Sequence, residues 1–405
     1  MKIAIIGGGA AGFFCAINAA EKLPQANITI YEASNKLLAK VLISGGGRCN
    51  VTNTISEPSV LAANYPRGRE FLEPIFHTFT SADTQEWFTT RGVPLKTEAD
   101  GRVFPQSDNS QSIYKCLLNE TRRLNISVLL SKRLKSLIHK EDKWQLDFGF
   151  ENVQVDKVVL ATGSNKGVYD MLAAMDVEIV PPLPSLFTFN AKQHTQLELA
   201  GLSVPDAHVS IMGIQNSREV GPVLITHWGY TAPAILRLSA WYARELSALD
   251  YTFNLKINWA AHDSKKLTAL FKGYAETKPK EKVVSWKEHN LPKRLWQYLF
   301  EAAALPPYTN WSEIGKKGIV RLVTVLCAYE SAINGKSTFK EEFVTAGGIA
   351  LAEVNNNTFE IIRHKGLYAV GELLNIDAIT GGFNFQAAWS GGYMAAKSIA
   401  QDINA

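Results

Sequence analysis

The sequence predicts an α/β protein: a doubly wound, mostly parallel sheet whose chain is interrupted by a β-rich and helical insert. Three observations lead there. A short β-branched run at residues 2–6 gives way at once to a glycine-rich turn and a helix-like stretch, and the next strand ends in an acid. At Pro181, Pro182 and Pro184 the texture changes to alternating polar and apolar residues. After Ala346 the α/β texture returns. A chain of 405 residues is also long enough for two or three cores.

Residues 2–6, KIAII, suit a buried parallel strand bounded by Gly7, and residues 10–22 read as a helix. A second strand at 28–32 follows Pro24, which completes one βαβ unit. Further strands are expected at 127–130, 144–148 and 157–161. A helix is expected at 109–124, where Ile113, Leu117, Leu118 and Leu124 recur at roughly helical spacing. Residues 208–214 and 251–257 alternate as half-buried strands do. Between Asp263 and Asn310 lies a Lys-rich, helix-like piece carrying Trp286 and Trp296 and punctuated by prolines at 279, 292, 306 and 307. A strand at 366–370 and a helix over 385–402 close the chain.

The bulk properties exclude several classes. Composition is that of an ordinary globular protein, 46% hydrophobic and 20% charged, so disorder does not dominate. The formal net charge of +4 is too mild to imply a nucleic-acid partner. Cys15, Cys49, Cys116 and Cys327 lie far apart without a C-x-x-C pair, which argues against zinc and against a disulfide framework, and fits a cytoplasmic setting. No stretch of about 18 apolar residues offers a membrane span. The apolar start is not read as a signal peptide, because Gly7, Gly8 and Gly9 would break its helix.

Gly7-x-Gly9-x-x-Gly12 follows a strand and opens a helix, with Glu32 ending the next strand. Gly7 permits the tight turn, Gly9 lets backbone approach a pyrophosphate, and Gly12 lets helix and sheet pack closely. The helix N-terminus offers N–H groups to a diphosphate. Glu32 would accept hydrogen bonds from a ribose and would repel a 2′-phosphate, so the nucleotide is FAD or NAD rather than NADP. A second motif runs from Lys40 to Asn53. Its Ser44-Gly45-Gly46-Gly47 run can form an anion-binding nest or lie against a flat ring, with Arg48 and Lys40 adding positive charge and Asn50, Thr52 and Asn53 adding amides and a hydroxyl. A strand ending in Ala161-Thr162-Gly163, then Gly371-Glu372, then Thr380-Gly381-Gly382-Phe383-Asn384, make the third and fourth signals.

These last segments resemble the two-dinucleotide-binding-domain flavoprotein superfamily. The resemblance implies that Glu372 binds a hydroxyl on the ribityl or pyrophosphate side and that a helix starting near Gly382 points at the pyrimidine edge of the flavin. SGGGRCNVTN, GRVFPQSD (101–108), HWGYTAPAILRLS (227–239), TAGGIAL (345–351) and GELLNIDAITGGFNFQAAWSGGY (371–393) together resemble one narrower group, the bacterial HI0933-like (YhiN or BaiN-like) flavoproteins. That likeness runs over nearly the whole chain. It implies a Rossmann-like FAD-binding domain with an inserted β-barrel plus a small helical lobe. The FAD domain would occupy 1–188 and 344–405 and the insert 189–343, its barrel at 189–260 and 318–343 and its lobe at 261–317. It implies cofactor contacts at Gly7, Gly9, Ala11, Gly12, Glu32, Lys40, 44–50, Leu134, Thr162, Gly163, Gly371, Glu372, Gly381, Gly382, Phe383 and Asn384. The group often has Ser-Gly-Pro where this chain has Thr231-Ala232-Pro233.

With one GxGxxG turn, no second dinucleotide domain is present, so NAD(P)H would visit transiently. The resemblance implies an FAD-dependent oxidoreductase reducing a small organic substrate such as a conjugated enone. Two rivals stand beside it: a flavin-binding redox regulator without turnover, and an RNA-modifying flavoprotein. His227 and Tyr230 are candidate proton donors. Cys49, beside Arg48, is a candidate redox thiol or a buried packing residue. Trp241, Trp259, Trp286, Trp296 and Trp311 read as anchors of the insert's core or as the lining of a cleft. The lysines at 272, 278, 280, 282 and 287 read as a solvated face or as a contact for RNA.

Overall fold

A computed structural model describes residues 1–191, 198–337 and 344–402. The chain divides into two units, Met1–Pro184 with Phe339–Ala405, and Ser185–Thr338. The first unit is built on a five-stranded parallel sheet. Its strands run, side by side, Leu367–Ala369, Lys157–Leu160, Lys2–Ile6, Asn27–Tyr31 and Ser127–Leu129. The β-branched content of the first two chain segments explains the central position of Lys2–Ile6, which is buried on both faces apart from its first residue.

The helix Ala10–Lys22 is buried almost all round, because it lies between this sheet and the long C-terminal helix Phe383–Gln401. Small residues make that sandwich possible. A Cβ on Gly392 would stand 2.9 Å from the carbonyl oxygen of Ala11 and 3.1 Å from the amide of Cys15. Phe14 fills the remaining space, with its ring 4.6 Å from Trp87 and 5.2 Å from Trp389. The segment expected as a strand at 144–148 forms Lys143–Asp147, not in the parallel sheet but at the centre of a separate antiparallel three-stranded sheet. The chain leaves the first unit along Ile179–Ser185 and returns along Val344–Ile349, and these two segments pair with each other. The three prolines of the outgoing strand are compatible with such an edge position.

The second unit centres on an antiparallel sheet in the order Tyr329–Asn334, Thr252–Asn258, Ser203–Ile211, Arg218–Ile225, Gly229–Thr231, Thr188–Asn190, Lys336–Ser337. The two outermost strands are separated by Gly335 alone, so one bent strand pairs with Thr252–Asn258 through its first half and with Thr188–Asn190 through its second. The sheet therefore closes on itself as a barrel, which leaves no unpaired edge. Helices Ser264–Thr277, Lys293–Ala302 and Gly315–Cys327 form the lobe. Its core is aromatic: Phe271 meets Trp286 edge-on at 5.0 Å and Trp311 at 5.1 Å, and Trp296 lies 5.5 Å from Trp286. Trp259, Trp286, Trp296 and Trp311 are buried and Trp241 is exposed. The expected boundary at 343–344 touches residues outside those described.

Candidate cofactor site

Three adjacent parallel strands end side by side, and a different glycine-containing segment follows each. Gly7–Gly12 follows Lys2–Ile6, Thr162–Gly163 follows Lys157–Leu160, and Gly371–Glu372 follows Leu367–Ala369. The carboxyl ends of strands in a doubly wound sheet form the crevice in which ligands bind. Gly7 has φ +116, and a Cβ there would run into the carbonyl of Ala161. A Cβ on Gly12 would run into the carbonyl of Gly7, and one on Gly371, at φ +70, would press on Ala11 at 2.9 Å.

Gly9 is different. It caps the helix Ala10–Lys22 in extended conformation, yet a Cβ on it would meet no atom within 4 Å. Nothing among the described residues requires glycine there. The helix it opens has no side-chain cap and no acid in its first turn, so its first N–H groups and the positive end of its dipole face open space. That cradle fits a diphosphate.

Glu32 closes one side of the turn. Its Oε2 accepts from the Gly8 amide at 2.7 Å and its Oε1 from Ser34 at 2.8 Å, and each oxygen keeps lone-pair capacity for a hydroxyl. The Lys132 amide donates to the Glu32 carbonyl and that of Ser131 to the Ser34 carbonyl, which brings the segment carrying buried Leu134 beside this end.

The Lys40–Asn53 motif is a helix broken in its last turn. Ser44 turns extended, and Gly45, Gly46 and Gly47 all take positive φ, a left-handed run that other residues resist. A Cβ on Gly46 or Gly47 would again meet nothing within 4 Å. Arg48 is tied down on both sides: its Nε donates to the Gly45 carbonyl at 3.4 Å, while its charge pairs with Glu98 at 2.6 Å and Asp108 at 3.5 Å and lies 4.0 Å over the Phe104 ring. Lys40 pairs with Glu372, whose other carboxylate oxygen accepts from the Thr345 amide at 2.8 Å. Asn50 is buried. Cys49 is fully buried at φ +62, and burial pushes its thiol up to about 12, so the neutral thiol is favoured and the geometry suits packing.

Gly382 caps the C-terminal helix, again with no side-chain cap and no acid in the first turn. A Cβ on it would strike the carbonyl of Thr52, so the second motif and this helix start are in contact. Asn53 donates to the Gly381 carbonyl at 3.1 Å. Asn384 makes a two-way bond with the backbone of Ala378, at 3.0 and 3.1 Å, and the buried Phe383 accepts at its carbonyl from Tyr65 at 2.7 Å.

Sequence reasoning missed the residues that fix this junction. Gln386 is fully buried, and its Oε1 accepts from Thr52 at 2.6 Å and Thr84 at 2.9 Å while its Nε2 donates to Ser390 at 2.9 Å. Arg67 grips the fully buried Asp377 with two guanidinium nitrogens. Partners some 300 residues apart leave no local spacing, although Asp377 and Gln386 both fall inside the GELLNIDAITGGFNFQ stretch.

The remaining candidates belong to the second unit. His227 and Trp228 are exposed in the turn between Arg218–Ile225 and Gly229–Thr231. Tyr230 is buried, and its hydroxyl meets that of Ser331 at 3.1 Å. Ala232, where the resembling group has glycine, sits at φ +86 as the cap of the helix Pro233–Trp241.

The chain is 26% identical over 99% of its length to the 3-dehydro-bile acid delta(4,6)-reductase of Clostridium scindens, covering 99% of that protein. It is 27% identical over 98% of both chains to the ribosomal RNA dihydrouridine synthase of Haemophilus influenzae, and 26% identical to that of Escherichia coli over 98% of this chain and 97% of the other. Among solved structures it is similar to the 3-ketosteroid delta1-dehydrogenase of Sterolibacterium denitrificans, with a TM-score of 0.49 and 12% identity over 99% of each chain. The HI0933-like protein Rossmann domain matches residues 1–398, and the chain belongs to that family of FAD-binding oxidoreductases.

Proposed function

We propose that the chain is an FAD-dependent reductase of a carbon–carbon double bond conjugated to a carbonyl, fed by transiently bound NAD(P)H, with a small organic enone as its leading substrate. The observation that carries this is the chemistry common to its full-length relatives. A 3-dehydro-bile acid delta(4,6)-reductase saturates double bonds conjugated to a ring ketone, and a dihydrouridine synthase saturates the uracil double bond conjugated to a ring carbonyl. The substrates differ and the bond reduced is of one kind.

FAD, when bound, would supply hydride transfer to the electron-poor carbon of such a bond. The chain's own residues would do the rest. The open N-terminus at Gly9 would hold the diphosphate and Glu32 the adenosine ribose, with Leu134 on the adenine side. The left-handed Gly45–Gly47 run, the Lys40–Glu372 pair and the helix start at Gly382 would receive the other half. The N-terminus of the helix starting at Gly382 would favour negative charge there by on the order of 1 kcal/mol. His227, exposed in its turn, is the leading proton donor, with Tyr230 second. Cys49 has a packing role in this reading.

The test is to purify the protein with its yellow cofactor and follow anaerobic bleaching by NADH and NADPH. Bleaching by one of them is expected. Bleaching by neither would overturn the reductase reading in favour of a redox regulator or another donor. A second reading, uridine within RNA as the substrate, is favoured by the names of two relatives and by the charge of the helical lobe.

A further inference from the structure

Charge is not spread evenly over this chain. Residues 261–317 contain ten lysines and one arginine against six acids, a surplus of five, whereas the whole chain has a surplus of four. Outside the lobe the protein is therefore slightly acidic. Among the described residues, only Lys278 of the lobe's cations forms an ion pair, with Glu288 at 3.4 Å.

The placement of these cations is more telling than their number. Each of the three lobe helices opens with two adjacent basic residues, all six exposed: Lys265 and Lys266, Lys293 and Arg294, Lys316 and Lys317. None of the three first turns holds an acid. Cations at a helix N-terminus oppose the dipole, at a cost of about 0.3–1 kcal/mol each when exposed. Asp263 caps the first of these helices and offsets its pair, whereas the other two helices have no side-chain cap, so folding does not account for the pattern as a whole. Tyr308, 75% exposed, offers a flat ring in the same lobe, with the Lys282 ammonium 5.7 Å from its centre.

We propose that the helical lobe is a docking surface for RNA, gripping phosphates through these basic pairs and offering Tyr308 to an unpaired base. Phosphate neutralisation by exposed Lys and Arg is the main source of nucleic-acid affinity, and an exposed ring amid cations is the element on which single-stranded bases stack. A membrane surface is the rival polyanion. It calls for exposed apolar side chains beside the charges, and among the described residues of 261–317 Tyr308 is the one large hydrophobic side chain that is exposed. This inference rests on the uridine reading of the same reductase chemistry, because a small enone needs no such surface.

The experiment uses the full-length flavin-loaded protein and a fluorescein-labelled single-stranded RNA of about 20 nucleotides, with anisotropy read across 0.05–0.3 M KCl. For roughly five phosphate contacts the wild-type slope of log K against log salt is expected near −3.5, at about −0.7 per contact. Replacing all six basic residues by Gln should weaken binding at least about 30-fold and more than halve the slope, with flavin content and bleaching by nicotinamide unchanged. Three double variants, one helix at a time, give the same trend in steps if the sixfold variant fails to fold. Tyr308→Ala should weaken binding about 5- to 100-fold at an unchanged slope. Absence of RNA binding by the wild type, or binding unaltered in the Gln variants, would overturn the proposal. So would tighter binding to phosphatidylserine-containing vesicles than to RNA. Loss of bleaching with RNA binding intact would instead count against the reductase reading alone.

Discussion

The two units use glycine and its substitutes in opposite ways. In the first unit the glycines of one short turn divide into two kinds: Gly7 and Gly12 have backbone carbonyls where a side chain would go, whereas Gly9 has empty space. The former serve the fold, and the latter is the position proposed for the ligand. In the second unit a non-glycine, Ala232, is held at φ +86 where left-handed backbone is costly, and its neighbours His227 and Tyr230 differ in exposure although only three residues apart. Open space marks Gly9 only together with the strand, turn and helix around it, since Gly92, Gly201 and Gly273 also have nothing within 4 Å.

This contrast can be broken most severely at Gly12. Gly12→Val should prevent formation of the first unit, since the carbonyl of Gly7 cannot move without opening the turn, and the measure is recovery of soluble protein with a cooperative melt. Gly9→Val should fold with the wild-type apo melting temperature yet purify without FAD. Retention of stoichiometric FAD by this variant would place the dinucleotide elsewhere.

The Arg67–Asp377 clamp comes next. Asp377→Asn leaves a largely buried guanidinium without its charge partner and should destabilise the protein by about 3–5 kcal/mol in urea denaturation. A loss below 1 kcal/mol would show that the junction at Gly381–Gly382 is held by Gln386, Asn53 and Tyr65 without it.

A smaller effect concerns pH. Burial pushes Cys15, Cys49 and Cys116 up to about 12 from 9.0. The folded chain then keeps these protons while the unfolded chain releases them, so their contribution to stability is complete below about pH 9 and is lost as pH rises toward 12. The urea midpoint should fall between pH 7.5 and 10.5, and Cys49 should resist alkylation at pH 8 in the native state. Rapid labelling of Cys49 would restore the redox-thiol reading. Smallest of all, Ala232→Gly should raise stability by about 1 kcal/mol by relieving a left-handed alanine. No gain would mean that the neighbouring helix already compensates.

What was legible in the sequence follows the range over which each signal acts. The GGGAAG turn, Glu32 and the SGGGRCN run were readable because a strand, a turn and a helix follow one another within a few residues, and their chemistry is local. The family resemblance placed Leu134, Glu372 and Gly382 on the same site, and strand ends brought side by side by the parallel sheet put the first and fourth motifs together. Arg48 was readable as a cation, yet its partners Glu98 and Asp108 arrive from 50 and 60 residues away and tie it down. Arg67, Asp377, Thr84 and Gln386 gave no signal, since a buried polar pair is specified by the fold that joins it. Closure of the barrel depends on which strands flank Gly335, and alternation alone does not say that. The lobe was legible as a Lys-rich stretch, but the basic pairs at its helix starts were not, because they required the helix boundaries.

The central claim is that this chain reduces a carbonyl-conjugated double bond. The most direct measurement is to bleach the purified yellow protein anaerobically with one equivalent of the active nicotinamide, then add a conjugated cyclic enone and, separately, uridine-containing RNA. The account predicts that one of them restores the yellow absorbance with one mole of saturated product per mole of flavin. Bleached protein that neither substrate re-oxidises, but that oxygen does, would contradict it.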